Sequence, residues 1–391
     1  MHNGSYHPMM LRILLVTQDF LPLPGGIAVF LHHLCVGLTE RGNSVTVLAK
    51  NMPGDDESDA GLPYPARRFA LPRRLASVAT AWQILRQCLV HRPDVIFLGH
   101  VMSTMGLGAV LTKKFLGIPY VILSHGGDLG LGNLSNTDNR AMRVVLRDAS
   151  LLLANSRFTA QRLQQTGCVR SAIEILNPGV DTGVFRPGVP TQEIMRMRKQ
   201  YGLENRRVVL TVGRLVPRKN HIGVLEALPE VLERVPEVCY LIVGDGEERP
   251  RLEQTVRHLG LEKVVIFGGQ VPSEDLVACY AASDLFIMPS TIVDDNFEGF
   301  GIVFAEAGAC GKPVIGGRCG GVSDAVVDGE TGLLVDPERR DEISAAIIRL
   351  LQDKELAGRL GANGRRRAEE ELSWSKVVER LERILHKVAQ G

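Results

Sequence analysis

Short, mostly apolar runs alternate with longer amphipathic ones along this chain, and the alternation occurs twice. In the first half the apolar runs fall at residues 11–17, 44–49, 94–98, 120–123, 151–154 and 173–176. In the second half they fall at 208–213, 238–243, 264–267, 285–288, 314–316 and 333–335. Runs this short and this apolar read as strands buried on both faces, and helical segments such as 27–41, 106–116, 156–165 and 220–235 separate them. That order predicts α/β architecture with parallel sheets covered by helices. A length of 391 residues leaves room for two such units, at ~100–200 residues each.

Residues 177–190 form the richest Pro/Gly stretch inside the chain, so the boundary is expected there. The predicted domains are 1–185 and 186–372, with an amphipathic helix at 373–391. That helix carries Trp374, Val377, Leu381, Ile384, Leu385 and Val388 on one side, and its apolar side is expected to pack back on the first domain. Residues 51–66 read as a polar loop. A helix at 73–91 is predicted to bury Leu75, Val78, Ala79, Trp82, Leu85 and Leu89.

Bulk composition narrows the function classes. The net charge is +1, which gives no reason to expect nucleic-acid binding. The seven cysteines are scattered without a Cys-x-x-Cys pair. Neither a zinc site nor a disulfide framework is indicated, and a reducing, cytoplasmic setting fits. No apolar run approaches the ~18 residues of a spanning helix, and residues 11–16 are too short for a secretory leader. Residues 1–185 hold 17 Lys and Arg against 12 Asp and Glu. Arg67, Arg68, Arg73 and Arg74 stand ahead of a helix start, where cations oppose the dipole. An anionic acceptor or peripheral contact with a membrane face would offset them.

The densest functional signal is the stretch 294–317, DDNFEGFGIVFAEAGACGKPVIGG. Gly299 and Gly301 precede a helix expected from about residue 301 to Ala309. The free amides at its start, near Gly301 to Val303, form an anion site helped by the helix dipole. Glu298 lies before those amides and Glu306 lies more than a turn beyond them. One carboxylate can therefore meet the front of a ligand and the other its back, with a phosphate between. A nucleotide-sugar has that layout, because its hydroxyls donate to carboxylates at both ends.

Other candidates stand at the carboxyl ends of predicted strands, where ligands bind in open α/β sheets. Arg214 and Lys219 follow residues 208–213, and two cations there call for an anion such as a diphosphate. Gly25 and Gly26 precede the first helix and can bring backbone amides to a phosphate. His125 follows residues 120–123, with Gly126, Gly127 and Asp128 behind it. The run Gly244-Asp245-Gly246 is not a dinucleotide fingerprint, since the third glycine is replaced by Arg249.

As a set, Pro24-Gly25-Gly26, Ser124-His125-Gly126, Asn177 to Asp181, Gly213-Arg214-Leu215 through Lys219, Gly244-Asp245-Gly246 and Glu298 to Glu306 are similar to the motifs of retaining GT-B glycosyltransferases. The resemblance is to the large family 4-like group that includes phosphatidylinositol mannosyltransferases, and it covers nearly the whole chain. It implies two Rossmann-like domains facing across a cleft, the first for the acceptor and the second for the sugar nucleotide. It implies diphosphate contacts for Arg214 and Lys219, ribose contacts for Glu306, and donor sugar and phosphate contacts for Glu298 with the amides of Phe300, Gly301 and Ile302. Gly26 would close on the β-phosphate, His125 would contact the sugar near its reacting carbon, and Val271 would border the base.

The expected reaction is hexose transfer with retention, by a front-face route, to a hydroxyl of a glycan, glycolipid or small-molecule acceptor. GDP-mannose is the favoured donor by resemblance, with UDP-linked glucose or N-acetylglucosamine as the alternative. No Asp-x-Asp occurs, so neither metal nor cofactor is expected. A sugar-nucleotide epimerase of the same fold would use the same diphosphate site without an acceptor. A non-catalytic nucleotide-binding subunit would bind without turnover. Residues 51–74 and 128–140 are the candidate acceptor loops.

Overall fold

The computed structural model describes residues 10–22, 25–70, 76–129 and 136–391. The chain divides into two compact units, one of residues 1–178 with 374–391 and one of residues 179–373. The division falls earlier than residue 185. Val180 donates to the Leu372 carbonyl and Phe185 packs its ring on Tyr280, so this stretch is tied into the second unit.

In the first unit the elements run β1 (Arg12–Thr17), α1 (Gly26–Glu40), β2 (Ser44–Lys50), α2 (Asp55–Ala60), β3 (Ala66–Phe69), α3 (Ala76–His91), β4 (Val95–Leu98), α4 (Ser103–Leu116), β5 (Tyr120–Ser124), α5 (Asn136–Asp148), β6 (Leu151–Ala154), α6 (Arg157–Gln165) and β7 (Ile173–Ile175). The strands form one parallel sheet in the order β3-β2-β1-β4-β5-β6-β7. The order reverses direction between β1 and β4, so the carboxyl ends of those strands border a crevice at the topological switch point.

The second unit opens with α7 (Thr191–Gln200). It continues β8 (Arg207–Val212), α8 (His221–Arg234), β9 (Val238–Val243), α9 (Arg249–His258), β10 (Val265–Gly269), α10 (Ser273–Ala282) and β11 (Leu285–Met288). Then come α11 (Ile302–Ala309), β12 (Val314–Gly317), α12 (Val322–Ala325), β13 (Gly332–Val335), α13 (Arg340–Gln352) and α14 (Lys354–Glu370). Its parallel sheet has the order β10-β9-β8-β11-β12-β13, with the switch between β8 and β11. Both units are therefore doubly wound α/β domains, as the alternation of apolar runs predicts.

The last helix, α15 (Trp374–Ala389), belongs to the first unit. Val377, Val378, Leu381, Ile384 and Leu385 are buried in the same cluster as Leu34 and Leu38 of α1. Burying each such side chain contributes ~1.5–3 kcal/mol. Glu382, only 4% exposed, fixes the register by accepting from Arg41 Nε at 2.7 Å and Asn43 Nδ2 at 2.6 Å. A Cβ at Gly37 would lie 2.5 Å from the Val378 side chain, so the two helices meet where α1 has none.

Three readings of the sequence are corrected. Residues 51–66 are not wholly a loop, since they hold α2 and the start of β3, and residues 136–140 belong to α5 rather than a loop. Of the Arg67–Arg74 cluster, only Arg67 and Arg68 lie among the described residues. Arg68 lies on β3 and is paired through Nη2 with Asp59 at 2.5 Å, while Arg73 and Arg74 lie outside the described residues. Finally, α3 turns the apolar stripe Val78, Trp82 and Leu89 outward, at 67%, 61% and 58% exposure, and buries Thr80, Ile84, Gln87 and Cys88. The reason is the close approach of α4. A Cβ at Gly108 would stand 2.8 Å from the Cα of Ala81 and 2.9 Å from Cδ1 of Ile84, so α3 meets α4 along its Ala81 and Ile84 side.

Candidate donor site and the crevice of the first unit

Two loops at the switch point of the second unit carry the charged residues. The first follows β8. Gly213 and Leu215 lock against the loop after β9, with Leu215 N donating to the Asp245 carbonyl at 3.0 Å and Glu248 N to the Leu215 carbonyl at 3.1 Å. The fit leaves no room for side chains. A Cβ at Gly244 would lie 1.9 Å from the Gly213 carbonyl oxygen, and one at Gly246 would lie 2.4 Å from that of Leu215. The Gly-Asp-Gly motif is thus a strand-end clasp. A short 3-10 turn, Pro217–Lys219, then presents Arg218 and Lys219, and Asn220 caps α8 by accepting from Gly223 N. Lys219 therefore sits in the turn before a helix start rather than on the helix.

The second loop precedes α11. Gly301 has φ +86°, and a Cβ there would strike the Phe304 ring at 2.7 Å, so only glycine gives this helix entry. No side chain caps α11, leaving the first amides, those of Ile302 and Val303, facing outward without intrahelical partners. Phe300 is buried in the core and can reach a ligand only through its backbone. Glu298 is held in place from behind, since its carbonyl accepts from Gly321 N at 2.7 Å.

The two loops meet at one oxygen. Glu298 Oε2 accepts from Lys219 Nζ at 2.5 Å and from Arg218 Nη1 at 2.6 Å. Sequence reasoning looked to an external anion to offset Lys219; the structure supplies an internal one. Burial alone would raise the Glu298 carboxyl, but Lys219 and Arg218 more than reverse this and hold it below its ordinary value. Burial lowers the Lys219 ammonium, with Arg218 and Arg214 adding to the effect against the attraction of Glu298. Arg214 is exposed and makes no ion pair among the described residues. It lines, with Arg218, Glu247 and Asp294, a cavity of about 420 Å³. Two cations thus meet on the single carboxylate of Glu298, next to the open start of α11, and Arg214 lines the cavity beside Arg218.

Glu306 lies on the inner side of α11, apart from this cluster. Its Oε2 accepts from the Tyr280 hydroxyl at 2.7 Å. Burial pushes its carboxyl up to about 7, opposed by the Tyr280 hydrogen bond and the charge of Lys219. Val271 stands between β10 and α10, partly buried against the core.

The remaining candidates belong to the first unit. Gly25 and Gly26 open α1, and a Cβ on either would meet nothing within 4 Å. Nothing in the unit's own packing requires their smallness. His125 follows β5, and its Nε2 lies 2.9 Å from the Gly99 carbonyl at the end of β4. A carbonyl only accepts, so Nε2 carries the proton. Burial lowers the ring below its ordinary value, against the charge of Asp128. Asp128 gathers the neighbouring loops by accepting from Ser124 Oγ, His125 N and Val101 N. Phe30 places its ring edge-on to His125 at 5.7 Å.

Arg218 and Tyr280 escaped the sequence reading. Arg218 had a signal, as the cation beside Lys219. Tyr280 had none, because its partner is 26 positions away.

Two doubly wound units, one with an uncapped helix start next to the Glu298, Lys219 and Arg218 cluster, have the architecture of GT-B glycosyltransferases, and comparison with known proteins agrees. Residues 24–184 match the family described as glycosyltransferase family 4, and residues 193–367 match glycosyl transferases group 1. The chain is 35% identical over 378 residues to the GDP-mannose-dependent alpha-(1-6)-phosphatidylinositol monomannoside mannosyltransferase of Mycolicibacterium smegmatis, covering 95% of this chain and 98% of that one. It is 30% identical over 380 residues to a GDP-mannose-dependent monoacylated alpha-(1-6)-phosphatidylinositol monomannoside mannosyltransferase of Corynebacterium glutamicum, covering 96% and 97%. The crystal structure of Anabaena HepE in complex with UDP superposes with a TM-score of 0.82 at 25% identity, over 96% of this chain and all of that one. The chain belongs to glycosyltransferase family 4.

Proposed function

We propose that this glycosyltransferase moves mannose from GDP-mannose to a hydroxyl of a lipid-linked glycan acceptor, with retention and without a metal ion or other cofactor. The observation that carries the reading is the meeting of Arg218 and Lys219 on Glu298, beside Arg214 and the open start of α11. The bond from the anomeric carbon to the β-phosphate oxygen breaks with its electron pair on that oxygen. Arg214, Lys219 and the amides of Ile302 and Val303 stabilise the charge as it forms. Glu298 takes sugar hydroxyls and Glu306 the ribose hydroxyls, while Val271 borders the base. For His125, Gly25 and Gly26 of the first unit the reading keeps the roles that the family resemblance implies, a sugar contact for His125 and a phosphate contact for the glycines.

Retention follows by a front-face route. Glu298 is tied by two cations and Glu306 by Tyr280, which leaves neither as a free nucleophile. The acceptor oxygen bonds to the anomeric carbon on the face the phosphate leaves, and the acceptor proton passes to the departing phosphate oxygen. Anomer analysis of the product by NMR tests this step, and an inverted product overturns it. A UDP-linked donor is the second reading, favoured by the UDP in HepE. A thermal-shift comparison of GDP with UDP separates the two. A ligand at ~100 times its Kd stabilises by about 2.7 kcal/mol.

A lipid acceptor calls for a membrane-facing surface, and the first unit offers one. Val78, Trp82, Leu89 and Val90 of α3 and Leu111 and Phe115 of α4 are exposed. Arg86, Lys114, Arg143 and Arg147 accompany them on α3, α4 and α5. No helix among the described residues is long and apolar enough to cross a membrane. Peripheral contact at the inner, cytoplasmic face suits this combination of apolar side chains and cations. The free cysteines fit a reducing compartment.

A further inference from the structure

We infer that Tyr280 is a positioning residue of the donor site, whose phenol holds the Glu306 carboxylate in one orientation and in its ionised form for the ribose hydroxyls. The inference rests on the reading of Glu306 as the ribose ligand. Tyr280 lies on α10 with its side chain fully buried. Its ring is wedged between Phe286 and Phe185, both at 5.9 Å between centroids, with interplanar angles of 51° and 78°. A ring held on two sides cannot swing, so the hydroxyl is fixed 2.7 Å from Glu306 Oε2. The Val303 carbonyl, at 3.5 Å, is the weaker alternative acceptor.

A phenylalanine would fill the same space, so packing does not explain the hydroxyl. A buried phenol needs an acceptor, and the one provided is the carboxylate of Glu306 on the next helix, α11. With Oε2 engaged by the phenol, Oε1 and the remaining lone pair of Oε2 are left to accept from a vicinal diol. Accepting from two hydroxyls requires the carboxylate rather than the acid.

The groups acting on Glu306 are Tyr280 from α10, Lys219 from the turn after β8, and Cys310 one turn along α11. Burial drives the Glu306 carboxyl to about 7, so its ionisation lies within the working range and the phenol's contribution matters there. The Tyr280 phenol is itself pushed far up, by burial and by Glu306, and stays protonated as a donor. Cys310 is pushed up to about 12, chiefly by burial, and stays neutral.

The test is to measure kcat and KM for the donor across about pH 5.5 to 8.5 in the wild type, Tyr280→Phe and Glu306→Gln. A nucleotide-sugar diphosphate has no group titrating near neutrality, so the acid limb of kcat/KM reports the protein. Removing the phenol removes a bond to the ionised form and raises the Glu306 pKa. The acid limb of Tyr280→Phe should therefore move to higher pH by about one unit. Donor KM near neutrality should rise about tenfold with kcat within about twofold, the pattern for lost uniform binding. An unmoved limb with an unchanged KM would reduce Tyr280 to core packing. If Glu306→Gln leaves donor KM unchanged, the ribose assignment of Glu306 fails instead. Should Tyr280→Phe fail to fold, a ring-fluorinated tyrosine at 280 keeps the shape and strengthens the donor. It should shift the limb to lower pH, and no shift overturns the inference.

Discussion

Lys219 Nζ stands 2.5 Å from Glu298 Oε2, so a cation from the turn after β8 and a carboxylate from the loop before α11 neutralise each other beyond the carboxyl ends of the second sheet's strands. With Arg218 on the same oxygen at 2.6 Å, the pair is a latch between two loops as well as a source of charge.

Replacing Arg214 and Lys219 together by Met should abolish most turnover and leave a folded protein. Arg214 is exposed and makes no ion pair among the described residues, so its loss should cost little stability. Loss of Lys219 still leaves Glu298 with Arg218, so the cost should stay below the ~3–5 kcal/mol of a fully broken buried pair. The expected fall in kcat is at least ~100-fold, the scale for removing one preorganised group at a developing oxyanion. Single-turnover rates and a urea melt read the two effects separately.

The latch also predicts an acid limit. The Glu298 carboxyl is held below its ordinary value of 4.5 by Lys219 and Arg218 against the effect of burial. Its contribution to stability is therefore complete above about pH 4.5 and is lost as pH falls through the lower folded value. Urea midpoints between about pH 6 and pH 3 should drop more steeply in the wild type than in Glu298→Gln. Equal slopes would show that the pair adds nothing to the folded state.

Two glycine substitutions should behave oppositely. Gly244→Ala places a Cβ 1.9 Å from the Gly213 carbonyl oxygen at φ +131°, so it should unfold or strongly destabilise the second unit, by more than ~3 kcal/mol. Gly25→Ala meets only open space, and its backbone at φ −172° and ψ 149° suits any residue. Its melting temperature should be unchanged while kcat/KM falls ~10-fold or more, through obstruction of the bound phosphate. Differential scanning fluorimetry with initial rates checks both, and full activity in Gly25→Ala would remove Gly25 from the site.

The outward face of α3 and α4 predicts binding to vesicles containing anionic lipid, and weaker binding as salt increases. Trp82→Asp with Phe115→Asp should reduce co-sedimentation at least tenfold and leave turnover of a soluble short-chain acceptor unchanged. Undiminished co-sedimentation would show that this surface does not meet lipid.

The comparison of sequence and structure turns on how local each signal is. The doubly wound units were legible because strands buried on both faces leave short apolar runs, and sequential helices separate them whatever their exact packing. The loop-glycine-helix stretch around Glu298 was legible for the same reason, since glycine, free amides and a carboxylate lie within a few residues. The face of α3 was misread because apolar periodicity reports where large side chains recur. The close approach of α4 at Gly108 instead turns the side that carries Ala81 and Ile84 inward. The loop reading of 51–66 failed because α2 is short and polar and β3 is an edge strand carrying two arginines.

The amino-acid order by itself determined the two parallel sheets, the uncapped start of α11 and the chemical types gathered at the strand ends, because each depends on residues adjacent in the chain. Only the tertiary structure decided which charges meet. Glu298 finds Lys219 across 79 positions, Glu306 finds Tyr280 across 26, and Glu382 finds Asn43 across 339. Such pairings are set by how strands order within a sheet and how helices seat on it, and no periodicity or spacing along the chain encodes them.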